Sequence, residues 1–162
     1  MTDGTKQPID LKGRVPQPYI AIEGPIGVGK TTLARQLADL FGYQLLLEDT
    51  HENPFLSRFY VNRRQNALAT QLFFLFQRVQ KIDDLKQQDL FRPLRIADFL
   101  IDKDPLFAQV NLDADEYELY NKVYNQMTVD APTPDLVIYL QASVDRLLER
   151  IDRRGITSER TI

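Results

Sequence analysis

The run Gly24-Pro-Ile-Gly27-Val-Gly29-Lys30-Thr31 narrows what this chain can fold into more than any other feature. It satisfies the pattern G-x-x-x-x-G-K-[ST], and it stands where that pattern has meaning, after an apolar run (Tyr19 to Ile22, closed by Glu23) and before a helical one. Glycines at these positions let successive backbone N–H groups turn inward and make a nest for phosphate oxygens. The helix that follows points its positive end at the same place. Lys30 reaches the β and γ phosphates of a bound triphosphate, and the Thr31 hydroxyl is a ligand for Mg²⁺. A plain glycine turn between strand and helix explains neither the lysine nor the hydroxyl.

The rest of the chain supplies the elements such a loop needs. Leu33, Leu37 and Leu40 recur at helical spacing up to Phe41, and Gly42 stands where a helix stops. Leu45 to Leu47 is a second apolar run, followed by Glu48 and Asp49. Asn53-Pro opens a loop or short helix that runs to Tyr60. Gln65 to about Leu85 is the longest periodic segment, with Leu68, Leu72, Leu75, Phe76, Val79 and Ile82 on one face. Leu94 to Ala97 reads as a third strand ending at Asp98, and Asp115 to Met127 as an amphipathic helix. Leu136 to Leu140 reads as a fourth strand, and Ser143 as the cap of a helix carrying Val144, Leu147, Leu148 and Ile151. Apolar strands alternating with helices predict an α/β domain whose parallel sheet is covered on both faces. Residues 1–18 are polar and proline-punctuated and read as a flexible arm, leaving 19–162 as one domain. The chain stops just after a basic segment (Arg150, Arg153, Arg154, Arg160), so the reading expects a final strand and helix to be missing.

Composition closes off several classes. With 43% hydrophobic and 27% charged residues the chain is globular, and no apolar run spans a bilayer. Cysteine is absent, which excludes disulfides and thiolate metal sites. A net charge of −3 argues against a nucleic-acid polymer as partner, so positive charge for any bound anion must be concentrated locally. The expected compartment is the cytoplasm.

A phosphate loop serves many chemistries, so the phosphoryl acceptor must be read elsewhere. Glu48 follows the second strand, and the carboxyl ends of parallel strands line the ligand crevice. A carboxylate there can take a proton from an attacking hydroxyl, although a solvated strand-end acid is an equal reading from position alone. Gln71 lies on the apolar face of the long helix, with Arg78 two turns on. A buried amide without partners costs about 1–3 kcal/mol, and an amide suits the donor and acceptor edge of a nucleobase. Satisfaction by neighbouring backbone is the competing reading.

From Tyr19 to the end, the chain resembles the bacterial branch of the deoxynucleoside kinases, which carry the P-loop NTPase three-layer α/β/α fold. The resemblance rests on the phosphate loop, Glu48, and the blocks Asn53-Pro-Phe-Leu-Ser-Arg-Phe-Tyr60 and Thr70-Gln71-Leu-Phe-Phe-Leu-Phe-Gln-Arg78. It continues through Asp98-Phe-Leu-Ile-Asp-Lys103-Asp-Pro-Leu-Phe107-Ala and Arg150-Ile-Asp-Arg-Arg154-Gly. It implies transfer of the γ-phosphate of ATP, with Mg²⁺, to the 5′-hydroxyl of a deoxynucleoside, purines favoured. Glu48 would be the general base, with Lys30 and Arg154 completing the catalytic set. Gly24, Gly27, Val28, Gly29, Lys30, Thr31, Thr32, Arg150 and Arg154 would hold the ATP phosphates, and Thr31 and Asp98 the metal. Tyr60 would bond the sugar 3′-hydroxyl, Gln71 would read the base, Phe107 would stack on it, Arg78 would lie beneath, and Glu159 would reach the sugar. The resemblance also implies a homodimer paired through helices. Two departures stand out. Relatives place Arg and Ser after the acid of the third strand, where this chain has Phe99 and Leu100, so Lys103 becomes the substitute cation. The lid reads Arg154-Gly-Ile156, where a further basic residue is common. A nucleoside monophosphate kinase of the thymidylate kinase type and a non-catalytic nucleotide-binding module are the alternatives. The first needs more basic residues near the acceptor, and the second has no use for Glu48.

Overall fold

The computed structural model describes residues 18–49, 53–87, 94–128 and 130–155. Its frame is a four-stranded parallel sheet in the order β2-β3-β1-β4. The central strand β1 (Tyr19–Glu23) pairs with β3 (Arg95–Ala97) on one side and β4 (Leu136–Tyr139) on the other, while β2 (Gln44–Leu46) pairs with β3. β1 and β3 are buried almost throughout, as strands flanked on both edges and covered on both faces must be. The first residue pair of the β1–β4 ladder is clipped by Asp135, whose carboxylate accepts from the Tyr19 N–H at 2.8 Å.

Two apolar clusters make the layers. On one face, Ile22 and Ile96 of the sheet pack with Ala34 and Ala38 of α1 (Lys30–Phe41), where small side chains let the helix approach closely. On the other, Leu75, Val79 and Ile82 of α3 (Arg63–Gln87) meet Ala97, Phe99 and Tyr120. α1 stops at Gly42, whose φ of 73° closes the helix through an N–H bond to Ala38 O. The Asn53-Pro turn leads into α2 (Leu56–Val61), which packs on α3. The Asn53 side chain fixes that turn by accepting from Phe55 N at 3.0 Å and donating to Thr70 O at 3.2 Å.

Four points differ from the sequence reading. A 3₁₀ turn (Ile101–Lys103) and α4 (Asp104–Asn111) lie between β3 and α5, where periodicity gave no helix. Pro105 in the first turn of α4 is a start signal that a run so short did not reinforce. α5 (Ala114–Met127) begins one residue early because Asp113 and Glu116 form a capping box, and its Leu119 faces outward, half exposed. Ser143 precedes α6 (Val144–Arg154) but makes no side-chain cap bond. Finally, β4 is not covered on both faces. Leu136, Val137 and Tyr139 are exposed by 42%, 45% and 61%, so among the described residues this apolar strand is an open sheet edge.

Candidate active site

The phosphate loop leaves β1 at Glu23 and enters α1 at Lys30. Gly24, Gly27 and Gly29 have φ of 150°, 82° and 107°, values only glycine adopts without strain. Two of them also sit against neighbours. A Cβ on Gly24 would lie 2.6 Å from Leu140 O, and one on Gly27 would lie 3.2 Å from Leu147 O and from Ile151 Cγ1. The loop is therefore held between the end of β4 and the flank of α6. The Lys30 ammonium closes over it, donating to Gly24 O at 2.7 Å and Pro25 O at 3.2 Å. Burial and the nearby Lys103 ammonium push the Lys30 pKa down, against the opposing pull of Glu23, Glu48 and Asp98.

Asp98, just past β3, joins the loop to the neighbouring strand. Its Oδ2 accepts from the Thr31 hydroxyl at 2.5 Å, and its Oδ1 accepts from the Glu48 N–H at 2.7 Å. Burial pushes its pKa up, opposed by those two hydrogen bonds. A buried carboxylate facing a hydroxyl beside a phosphate loop is a set of hard oxygen donors that suits Mg²⁺.

Beyond Glu48 runs a polar chain through the wall formed by α3, α4 and α5. Arg78 donates to Glu48 Oε1 from Nε at 2.8 Å and also from Nη2, and its Nη1 pairs with Asp104 Oδ2. Asp104, fully buried at the start of α4, further accepts from Gln71 Nε2 at 2.8 Å and from the Tyr120 hydroxyl at 2.5 Å. Gln71 Nε2 also donates to Asp104 O at 3.2 Å. Burial and the bond to Asp104 push the Tyr120 pKa far up, so its phenol stays a donor. Phe107, one turn along α4, is 41% exposed with the Lys103 ammonium 4.8 Å from its ring centre.

An opening of about 610 Å³ lies between the loop and α6 and is lined by Gly27, Gly29, Thr32, Arg150, Arg153 and Arg154. Arg150 is docked there, its Nη1 donating to Val28 O at 2.9 Å. Arg153 pairs with Glu149 at 2.6 Å, and Arg154 is exposed at the end of α6.

A family model described as deoxynucleoside kinase matches residues 20–162. The chain belongs to the deoxynucleoside kinase family. Deoxyguanosine kinase of Bacillus subtilis is 41% identical over 147 residues, covering 90% of this chain and 70% of that one. Deoxyadenosine kinase of Lactobacillus acidophilus is 31% identical over 150 residues, covering 86% and 68%. Among solved structures, deoxyadenosine kinase from M. mycoides with bound dCTP superposes with a TM-score of 0.77 at 29% identity, covering 89% of this chain and 74% of that one. The sequence reading of a P-loop kinase fold and of phosphotransferase chemistry is thereby confirmed.

Within this kinase the loop residues, Thr31, Asp98, Glu48, Arg78 and Gln71 converge, while Tyr60 sits on α2 with its ring 5.7 Å from Phe59. Glu159 and Ile156, the latter expected on a lid, lie outside the described residues. Sequence reasoning missed Asp104 and Tyr120. Asp104 stands between Lys103 and Pro105, and Tyr120 lies at helical spacing with Tyr117 and Tyr124, a pattern that reads as packing. Their meeting with Gln71 and Arg78 depends on how α4 and α5 dock against α3. Lys103 is not an unengaged replacement for arginine. Its ammonium pairs with Glu23 at 2.5 Å, and Glu23 in turn accepts from Gly24 N at 2.6 Å. Among the described residues, no helix is long and apolar enough to cross a membrane.

Proposed function

We propose that this kinase transfers the γ-phosphate of ATP to the 5′-hydroxyl of a purine deoxynucleoside, and that Mg²⁺ assists. The observation that carries the reading is the two-sided engagement of Asp98. One of its oxygens meets Thr31 of the loop and the other meets the backbone of Glu48. The carboxylate proposed to receive the hydroxyl proton thus stands beside the loop proposed to hold the donor, as in-line transfer requires.

In this reading the backbone of Gly24, Gly27, Val28 and Gly29, with Thr32 and Lys30, cradles the triphosphate. Lys30, Arg150 and Arg154 offset the charge that develops on the transferred group. Glu48 is the general base. Gln71, Arg78 and Asp104 form the polar wall facing the nucleobase, Phe107 stacks on its ring, and Tyr60 meets the sugar 3′-hydroxyl. Thr31 and Asp98 would hold Mg²⁺, which would supply positive charge to offset that of the phosphates. Residues 19–162 act as one domain, and Glu159 takes the sugar; the arm expected before them lies, up to residue 17, outside the described residues. The half-exposed Phe76 of α3 and Leu119 of α5 support pairing of two copies through helices. The reading has this enzyme work in the cytoplasm on small molecules, without nucleic-acid or membrane partners.

The test is a phosphorylation screen of the four deoxynucleosides and their monophosphates with labelled ATP, with and without Mg²⁺. The expected product is a purine deoxynucleoside 5′-monophosphate, formed only with the metal. Label on monophosphates alone would overturn the assignment of the acceptor, and label on nothing would favour a nucleotide-binding module.

A further inference from the structure

Tyr120 has no place in phosphoryl transfer, yet it is fully buried and directs its hydroxyl at the carboxylate that also takes Gln71 and Arg78. Its ring is held between two others, with centroids 6.3 Å from Tyr117 and 6.0 Å from Tyr124, both near parallel. The phenol therefore has little freedom to turn away. Asp104 Oδ1 receives both Tyr120 at 2.5 Å and Gln71 at 2.8 Å, while Oδ2 takes Arg78.

This arrangement fixes the sense of the Gln71 amide. Its Nε2 is engaged twice, by the Asp104 side chain and by the Asp104 carbonyl at 3.2 Å. Both acceptors demand the nitrogen, so the carbonyl Oε1 is the end of the amide that this network leaves for a ligand. An acceptor presented to the pocket selects a base edge that donates, an exocyclic amino group or a ring N–H. A base edge that only accepts meets a repulsive lone pair and leaves a buried acceptor unmatched.

We infer that Tyr120 is a positioning residue for base recognition: its phenol fixes Asp104, and Asp104 holds Gln71 with its carbonyl toward the base, so that the pocket takes donor-bearing bases. The inference rests on the reading above in which Gln71 faces the nucleobase. Losing the phenol frees one lone pair of Oδ1, lets the carboxylate turn, and allows the amide to present its nitrogen instead. The ring stack and the apolar packing survive in Tyr120→Phe.

The experiment compares deoxyadenosine and deoxyguanosine with purine 2′-deoxyriboside, which has neither an exocyclic amino group nor a ring N–H on that edge. The kinetic constants of the intact enzyme, Tyr120→Phe, Gln71→Ala and the double variant are measured, with Tyr124→Phe as a stack control. The intact enzyme should favour the donor-bearing nucleosides. In Tyr120→Phe that preference should fall by about tenfold, a loss proper to one hydrogen bond to a charged group, through KM for the nucleoside and with KM for ATP unmoved. The double variant should be no worse than Gln71→Ala, and Tyr124→Phe should keep the preference. An unchanged preference in Tyr120→Phe, beside a raised nucleoside KM in Gln71→Ala, would overturn the role of Tyr120 alone. So would a common shift of every constant, ATP included. If Gln71→Ala leaves nucleoside KM untouched, the base-facing role of Gln71 fails and this inference fails with it.

Discussion

Arg78 donates to Glu48 Oε1 from Nε at 2.8 Å while its other edge pairs with Asp104, so one guanidinium ties the proposed base to the start of α4. Asp104 is fully buried and Arg78 nearly so. A planar fork can serve two carboxylates at once, whereas an ammonium is a point charge.

Replacing Arg78 should therefore cost more than activity. Arg78→Met leaves a buried carboxylate without its cation, a change that typically costs about 3–5 kcal/mol. Urea unfolding should show that loss, and Arg78→Lys should recover only a minor part. A variant as stable as the parent would mean that Asp104 is neutral or otherwise compensated.

Glu48→Gln should separate chemistry from donor binding. The amide keeps the size and can still meet Arg78 through its oxygen, but it cannot take a proton. Turnover should fall by about 10²–10⁴-fold, the range for a lost general base, with ATP affinity by calorimetry nearly unchanged. Turnover within a few-fold of the parent would remove Glu48 from the mechanism.

Lys30 sets a pH dependence of opposite sign to a stabilising ion pair. Its pKa is lowered in the folded protein, burial being the larger cause and Lys103 the next. Between that lowered value and the unfolded lysine value of about 10.4, the unfolded chain binds more protons, so this group's contribution makes stability rise with pH. The stability of the parent relative to Lys30→Met should climb from the lowered value toward that limit in the absence of nucleotide. Below the lowered value the charged lysine is a net cost, so Lys30→Met should be the more stable protein there while losing ATP affinity and rate. A difference that stays flat across pH would show that Lys30 bears no such strain.

Gly27→Ala tests the seat of α6 on the loop. With φ at 82° and a new Cβ 3.2 Å from both Leu147 O and Ile151 Cγ1, the loop or the helix must shift. Arg150, bonded to Val28 O, moves with the helix. ATP affinity should weaken by about tenfold or more, in line with the sensitivity of positioned groups to small displacements. The nucleoside constant should change less. Gly29→Ala, with no atom within 4 Å of its Cβ, should suffer only the backbone strain of its own φ of 107°.

The sequence by itself determined the local and periodic features. The phosphate loop, the strand starting at Tyr19, the helix stop at Gly42 and the long helix carrying Gln71 and Arg78 depend on neighbours within one or two turns, so their residues announce them. Glu48 and Asp98 were legible as strand-end acids because parallel strands share one functional edge. Only the tertiary structure decided what those side chains do to one another. That Asp98 touches both Thr31 and Glu48 follows from β3 lying between β1 and β2, an order no local pattern states. Gln71 was expected to offer a donor and an acceptor together, but its nitrogen is engaged by a carboxylate 33 residues away on a helix that periodicity did not predict. In the sequence Tyr120 is one of three tyrosines at helical spacing on α5, with Tyr117 and Tyr124. It became the partner of Asp104 because the docking of α4 and α5 against α3 buries its hydroxyl, and a buried hydroxyl must find an acceptor.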